Sequence, residues 1–457
     1  MSNYRTLNPA DGKLVREYAQ HSSDELEAAL TLADSVYRSA EWRDEMPRRL
    51  DVLRRLGDLL TRDADRVATI ITTEMGKPKA EALGEVQLCA QIALYYAENA
   101  EHVLAPKKIE SPLGEAWIEN HPVGVLIAVE PWNFPIYQLI RVVAPAIAVG
   151  NTVLMKHAQT TPECGVAFQE LCREAGAPEG AVVNIFASNE QISDLIGDPR
   201  IQGVALTGSE RAGAAVGARA SQMLKKAVLE LGGNDVFVVL DDADVEKAAK
   251  AAVSARLFNA GQACTSAKRF VVQKAVAERF TTLVREGMSA QWLGDPFDPH
   301  TTMGPLSSEG ARDTLEHQVN TAIEHGARLL LGGKRLDRPG FFFEPTLLTD
   351  MTPDNPMYGA EFFGPVGQIH IVDTDEDVVT LANDSQFGLG GAIFSNNEQR
   401  ARRIASRIES GMMHINTPST SRPELPFGGV KRSGFGRELG ELGLSEFVNK
   451  KLMVVAR

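Results

Sequence analysis

The chain has 457 residues, long enough for about three domains or lobes and more than one hydrophobic core. Hydrophobic residues make up 44% and charged residues 23%, which excludes disorder or a collagen-like repeat as a description of the whole. Lysine plus arginine (47) against aspartate plus glutamate (60) leaves a net charge of −13, which argues against nucleic acid and anionic membranes as partners.

The most apolar stretch, 142–154, is broken by Pro145, Gly150 and Asn151 and falls short of the ~20 residues a membrane span needs. No basic region followed by an apolar run opens the sequence, so no signal peptide is expected. The four cysteines form no CxxC pair. A soluble, reduced, cytoplasmic protein is the expectation.

Residues 22–103 read as consecutive helices. Ser22 offers a cap with Glu25 behind it, and 48–68 shows apolar positions at three-to-four spacing. From 121 the pattern alternates, with strand-like runs at 123–129, 152–154, 182–185 and 204–206 and helix-like runs at 163–175 and 212–223. Such alternation predicts a parallel, doubly wound sheet. A second alternation begins with a strand at 236–240, a helix from 245, a strand at 269–273 and a helix to about residue 288. The fold class predicted is therefore α/β, with two doubly wound domains and the chemistry between them. Residues 104–122 and 441–457 fit neither pattern and are expected to be a hairpin or edge segments used in subunit contact.

Four sites carry candidate chemistry. Cys89, Cys164 and Cys172 sit in helical patterns and read as inert buried thiols. Cys264, in FNAGQACTSAKR, follows small residues and precedes cationic Lys268 and Arg269; a helix N-terminus or turn there would lower its pKa and make it a nucleophile. Glu230, in LELGG, is either a solvated glutamate or, among Val228, Leu229 and Leu231, a carboxylate with raised pKa suited to general-base work. Asn133 is held between Pro131 and Pro135 as a plain turn residue or a preorganised oxyanion donor. LTGSERAG at 206–213 follows a strand-like run and opens a helix, so its amides and Ser209 could hold a pyrophosphate; Lys156 could reach ribose hydroxyls or stand exposed. The GxGxxG signature, the GxSxG elbow and every metal-ligand pattern are missing, and no metal is expected.

In order, PWNFP (131–135), LTGS (206–209), LELGG (229–233), GQxC (261–264), EFFGP (361–365) and PFGGVKRSGFGREL (426–439) resemble the aldehyde dehydrogenase superfamily, as do the opening NPADG and TxEMGKP before residue 79. The resemblance spans nearly the whole chain. It implies that Cys264 attacks the aldehyde, that Asn133 and the Cys264 amide stabilise the oxyanion, and that Glu230 activates the hydrolytic water. It further implies cofactor contacts from Trp132, Lys156, Gln159, Ser209, Glu361 and Phe363. The cofactor-binding domain would comprise 1–103 and 123–232, the catalytic domain 233–440, and a small β oligomerisation region 104–122 and 441–457, in a homodimer or homotetramer.

Three positions depart from the family pattern. Gln159 stands where many NAD-using members carry a glutamate, so NADP is expected to be accepted alongside or ahead of NAD. Val142 replaces a lysine implicated in proton relay, and Ala360 the first glutamate of a common pair. Among subfamilies, GQACTSAKR and PELPFGGVKRSGFGREL are most similar to bacterial succinate-semialdehyde dehydrogenases. Asn133, Tyr137 and Arg141 follow at i, i+4 and i+8, which would place them on one helix face with a guanidinium for a distal carboxylate; the competing reading is an internal ion pair of Arg141. Ser421 is a second candidate substrate contact and Arg422 a weaker one. Longer semialdehydes such as glutarate semialdehyde, and general aliphatic aldehydes, remain alternatives for the substrate. A catalytically silent scaffold and a cofactor-free thiol hydrolase are the readings from other classes.

Overall fold

Runs such as VLIAV at Val125–Val129 and VFVV at Val236–Val239 are apolar on both faces, the composition of strands covered from both sides in a parallel sheet. In the computed structural model, which describes residues 4–456, each run lies inside such a sheet.

The first sheet has six strands in the order Gly434–Phe435, Lys226–Glu230, Ile201–Thr207, Val125–Val129, Thr152–Lys156 and Val182–Asn184. Only the short Gly434–Phe435 edge is antiparallel. The chain starts at Val125–Val129, winds outward to Val182–Asn184, then returns to Ile201–Thr207 and winds the other way. The reversal opens a crevice at the carboxyl ends of Val125–Val129 and Ile201–Thr207, where such sheets take their ligands.

The second sheet has seven strands, ordered Arg328–Leu331, Thr346–Thr349, Val366–Val372, Arg269–Gln273, Val236–Val239, Gly391–Phe394 and His414–Ile415. All but Arg328–Leu331 run parallel. The expected two doubly wound α/β units are therefore present. The two segments that fitted neither pattern meet in a third, antiparallel sheet of Val448–Ala456, Gly114–Pro122 and Lys107–Ile109. A hairpin of Tyr4–Leu7 and Leu14–Tyr18, unforeseen from the sequence, anchors the N-terminal end through the buried Tyr4 hydroxyl, which donates to the Ala187 carbonyl at 2.8 Å.

The helical stretch resolves into Ser23–Arg38, Ala40–Arg43, Met46–Arg62, Ala64–Met75 and Lys79–Leu104, the first closed by the predicted Ser22/Glu25 capping box. Lys79–Leu104 packs on the helix that positions the site, Pro135–Val149, every residue of which is buried. That helix begins with Pro135 and ends at Gly150, whose φ of 106° no L side chain adopts easily. Its first free amides are taken by a carboxylate from outside: Glu85 Oε1 accepts from Ile136 N (2.9 Å) and Tyr137 N (3.1 Å). The other Glu85 oxygen pairs with Lys77 Nζ at 2.5 Å, both side chains out of solvent. Among the described residues no helix is long and apolar enough to cross a membrane.

Candidate active site

Cys264 lies on a turn, not at a helix N-terminus. A short 3-10 segment, Phe258–Gly261, carries Asn259 (φ 53°) and Ala260 (φ 51°) in the left-handed region, and the chain then turns through 262–268 into the strand Arg269–Gln273. Burial pushes the Cys264 thiol up to about 12, so the expected helix-lowered pKa is not realised. The cation that opposes burial is Lys268, and Arg141 adds to it. Cys264 is partly exposed, whereas Cys89, Cys164 and Cys172 are wholly buried, as their helical positions suggested.

The strained turn is pinned to the PWNFP segment. The Asn259 side-chain amide donates to the carbonyls of Asn133 (2.9 Å) and Gln262 (3.2 Å), and Asn259 N donates to Glu81 Oε2 at 2.9 Å. Asn133 Nδ2 donates to Gln262 O at 2.9 Å. A primary amide has two hydrogens, so one Asn133 N–H stays available for an oxyanion beside the Cys264 turn. Asn133 itself precedes the helix Pro135–Val149, so of the predicted helix-face trio only Tyr137 and Arg141 are helical.

Glu230 ends its strand, level with Thr207 on the neighbouring strand. Leu206 pairs with Val129 in turn, so Glu130 continues the same row one strand further on. In parallel strands such a row points to one face, with ~4.8 Å between strands. Glu130, Thr207 and Glu230 thus line the crevice. Arg141 lies over them, with Nη2 3.1 Å from Thr207 Oγ1 and Nε 2.7 Å from a Glu438 oxygen, held between the rings of Tyr137 (4.7 Å) and Phe427 (4.6 Å). The glycine-rich loop brings Phe427 and Glu438 there together by folding back so that their backbones exchange hydrogen bonds of 2.7 and 2.8 Å. Gly428 is required in that loop: a Cβ there would stand 2.6 Å from Glu230 Oε1, at a φ of 150°.

Among the described residues neither buried Glu230 oxygen has a hydrogen-bond partner. Burial holds this carboxyl well above the usual range, Glu438 raises it further, and Arg141 opposes both. The carboxyl of Glu130 is raised in the same way, by burial and then by Glu438.

Arg141 therefore does make the internal ion pair weighed against a substrate role. A guanidinium has five N–H donors, and contacts to Glu438, Thr207 and the Tyr137 hydroxyl engage three of them. The Tyr137 hydroxyl faces both Ser421 and Arg141, so the three candidate substrate contacts converge. Arg422 does not join them; it lies at the surface 3.5 Å from Glu424. Val142 shares a small cavity with Glu438 and Arg437.

On the other side of Cys264, Glu361 Oε1 accepts from Gly233 N at 3.1 Å and lies 3.1 Å from Lys268 Nζ. Gly232 and Gly233 admit these contacts: a Cβ would fall 2.5 Å from Glu361 Oε2 at the first and 2.6 Å from the Cys264 carbonyl at the second. Trp132 and Phe363 meet edge to face at 5.7 Å. Ser209 caps the helix Glu210–Gln222 by accepting from Ala212 N. Lys156 ends the strand Thr152–Lys156, and among the described residues no carboxylate pairs with it; its ammonium lies 5.9 Å from the Tyr4 ring centre. Gln159 is tied by its carbonyl to Arg5 N at 2.9 Å. An uncompensated lysine, a helix N-terminus and a carboxylate beside two glycines fit a phosphorylated dinucleotide.

Several residues that shape the site went unassigned in the sequence. Glu438 stood inside the GREL motif without a role. Glu130 follows an apolar strand run directly, a place where a charged residue marks the sheet's functional edge. Lys77, Glu81, Glu85 and Asn259 act through tertiary contacts that leave no local signal.

The chain matches the aldehyde dehydrogenase family over residues 1–453. It is 47% identical to a succinate-semialdehyde dehydrogenase [NADP(+)] of Deinococcus radiodurans, over 98% of this chain and 94% of that one. It is 42% identical to the Escherichia coli succinate semialdehyde dehydrogenase [NAD(P)+] Sad, over 97% and 96%. The crystal structure of succinic semialdehyde dehydrogenase from Streptococcus pyogenes in complex with NADP+ superposes with a TM-score of 0.98 at 45% identity, covering 99% of this chain and all of the other.

Proposed function

The chain belongs to the aldehyde dehydrogenase family, and we propose that it oxidises succinate semialdehyde to succinate with NADP, accepting NAD as well. The observation that carries the substrate is the convergence of Arg141, Tyr137 and Ser421 in the crevice that also holds Glu230. A guanidinium with unused donors suits the distal carboxylate of a short semialdehyde acid, while Cys264 and Asn133 suit its carbonyl.

Cys264 Sγ bonds to the aldehyde carbon as its thiol proton passes to water and the carbonyl π pair moves onto oxygen, and that oxyanion takes a hydrogen bond from the free Asn133 N–H. Lys156, Ser209, Glu361, Trp132 and Phe363 would hold the dinucleotide, which would supply the two-electron acceptor needed to take the Cys264 adduct to the thioester level. Glu230 then takes a proton from water, whose oxygen attacks the thioester carbon, and the C–S bond breaks to release succinate and return the Cys264 thiolate. Splitting the oxidation this way requires Glu230 to be ionised, and Arg141 provides the opposing charge. Lys156 without a carboxylate partner, and Gln159 in place of a glutamate, support NADP.

The first sheet and the N-terminal helices would form the cofactor-binding domain and the second sheet the catalytic domain. The third sheet would join copies into a dimer or tetramer in the cytoplasm. Initial rates with succinate semialdehyde and butanal, each with NADP and NAD, test this reading. A strong preference for the acid with NADP supports it; preference for butanal removes the substrate assignment, and no reduction with either removes the activity.

A further inference from the structure

Lys268 is one of the largest fully buried side chains, four residues after Cys264. Its ammonium donates to the carbonyls of Cys264 (2.6 Å), Ala263 (3.0 Å) and Ser266 (3.4 Å). Three donors thus meet three carbonyls of one turn, and the charge is fixed to the segment that carries the thiol. The remaining neighbour is Glu361 Oε1, 3.1 Å away, itself held by Gly233 N. A buried cation with one carboxylate in ion-pair contact exerts a field on the nearby thiol that water screens far less than at the surface.

We propose that Lys268 is the positioning residue that sets the nucleophilicity of Cys264, and that Glu361 sets how much of the lysine's charge the thiol feels. The proposal rests on the reading of Cys264 as the nucleophile. The charged groups acting on the thiol are the cations Lys268 and Arg141 and the carboxylates Glu361 and Asp235. Buried Arg256 acts in turn with those two carboxylates and donates to the carbonyls of Gly261 (2.5 Å) and Ala267 (3.4 Å) at the ends of the turn, whereas Lys268 donates to the Cys264 carbonyl itself. Glu361 therefore has two roles. It offers a carboxylate toward the cofactor side, and it attenuates the lysine. A ligand group that draws this carboxylate away leaves Lys268 to act on Cys264 at fuller strength.

The test is the pH dependence of Cys264 alkylation by iodoacetamide in the full chain without cofactor, the adduct being located by peptide mass spectrometry. Lys268→Met is expected to move the midpoint up by about one pH unit or more, and Glu361→Gln to move it down. Lys268→Arg, which keeps the charge, is expected to recover part of the shift. A purely structural loosening of the turn would move both variants the same way. Shifts in the same direction, or unchanged midpoints, overturn the proposal. If Lys268→Met does not fold, the sign of the Glu361→Gln shift decides alone, a downward shift supporting the proposal and an upward or absent one overturning it. Wild-type protein alkylated at Cys264 yet fully active would instead overturn the nucleophile reading, which these shifts do not address.

Discussion

Glu130, Glu230 and Glu438 are three buried carboxylates gathered round one guanidinium, Arg141. Fully ionised, the group would carry two uncompensated negative charges out of water, so protons are retained within it. Glu230 must lose its proton to act as a base, and Glu438 is the charge that most opposes this after burial. Glu438→Gln is therefore expected to shift the acid limb of the kcat profile to lower pH, since a base with raised pKa is inactive below that value. An acid limb that stays in place would show that Glu230 does not feel Glu438. Arg141→Ala is expected to raise KM for succinate semialdehyde by roughly 10- to 100-fold, the worth of a charge-assisted contact of about 1.5–3 kcal/mol, and KM for butanal far less. Equal effects on both substrates would leave Arg141 a purely internal partner of Glu438. Cys264, Asn133 and Glu230 are legible as residues because each sits in a short motif with its own local chemistry. Glu438 and Glu130 are not, since only the refolded glycine loop and the helix Pro135–Val149 bury them.

At the scale of elements, two helix N-termini near the site are closed by distant carboxylates. Glu85 serves Pro135–Val149, and Glu74 serves Pro162–Glu174 by accepting from Glu163 N (3.0 Å) and Cys164 N (2.9 Å), with the Thr6 hydroxyl as a third donor. The stretch TxEMGKP thus has a structural meaning: Glu74 caps one helix, and Lys77 fixes the carboxylate that caps the other. Burial raises Glu74 from 4.5 to about 7, despite its donors. The folded state then holds a proton that the unfolded state releases, so this contribution to stability is full below pH 4.5 and is lost as pH rises through about 7. Glu74→Gln removes that dependence. Its stability relative to wild type, measured by urea denaturation, is expected to improve by up to about 3 kcal/mol between pH 5 and pH 8. A constant difference would mean that Glu74 does not titrate in this window. The sheets were readable because parallel strands need apolar runs of a recognisable kind. The Cys264 turn was not. Its course is set by Asn259 bridging to Asn133 and by Lys268 gathering carbonyls, contacts between residues far apart in the chain or resolved only in three dimensions.

For the whole molecule, the small sheet of Val448–Ala456, Gly114–Pro122 and Lys107–Ile109 leaves Leu452, Val454 and Val455 exposed on an outer strand. Apolar side chains on an exposed edge favour pairing with another chain. With this sheet proposed as the contact between copies, Leu452→Asp is expected to lower the mass in light scattering while leaving the far-ultraviolet spectrum unchanged; an unaltered mass would contradict that proposal. Glycines 232, 233 and 428 connect this scale back to the chemistry, because they leave room for the close approaches of Glu361, the Cys264 carbonyl and the Glu230 carboxylate. The proposed route is covalent, through Cys264, and Glu230 completes it. Mass spectrometry of Glu230→Gln, mixed with succinate semialdehyde and NADP and quenched within the first turnover, tests it most directly. The expected result is a burst of NADPH and a succinyl adduct on the Cys264 peptide that persists far longer than in wild type. An adduct on another residue, or reduction of NADP with no covalent species at all, would contradict it.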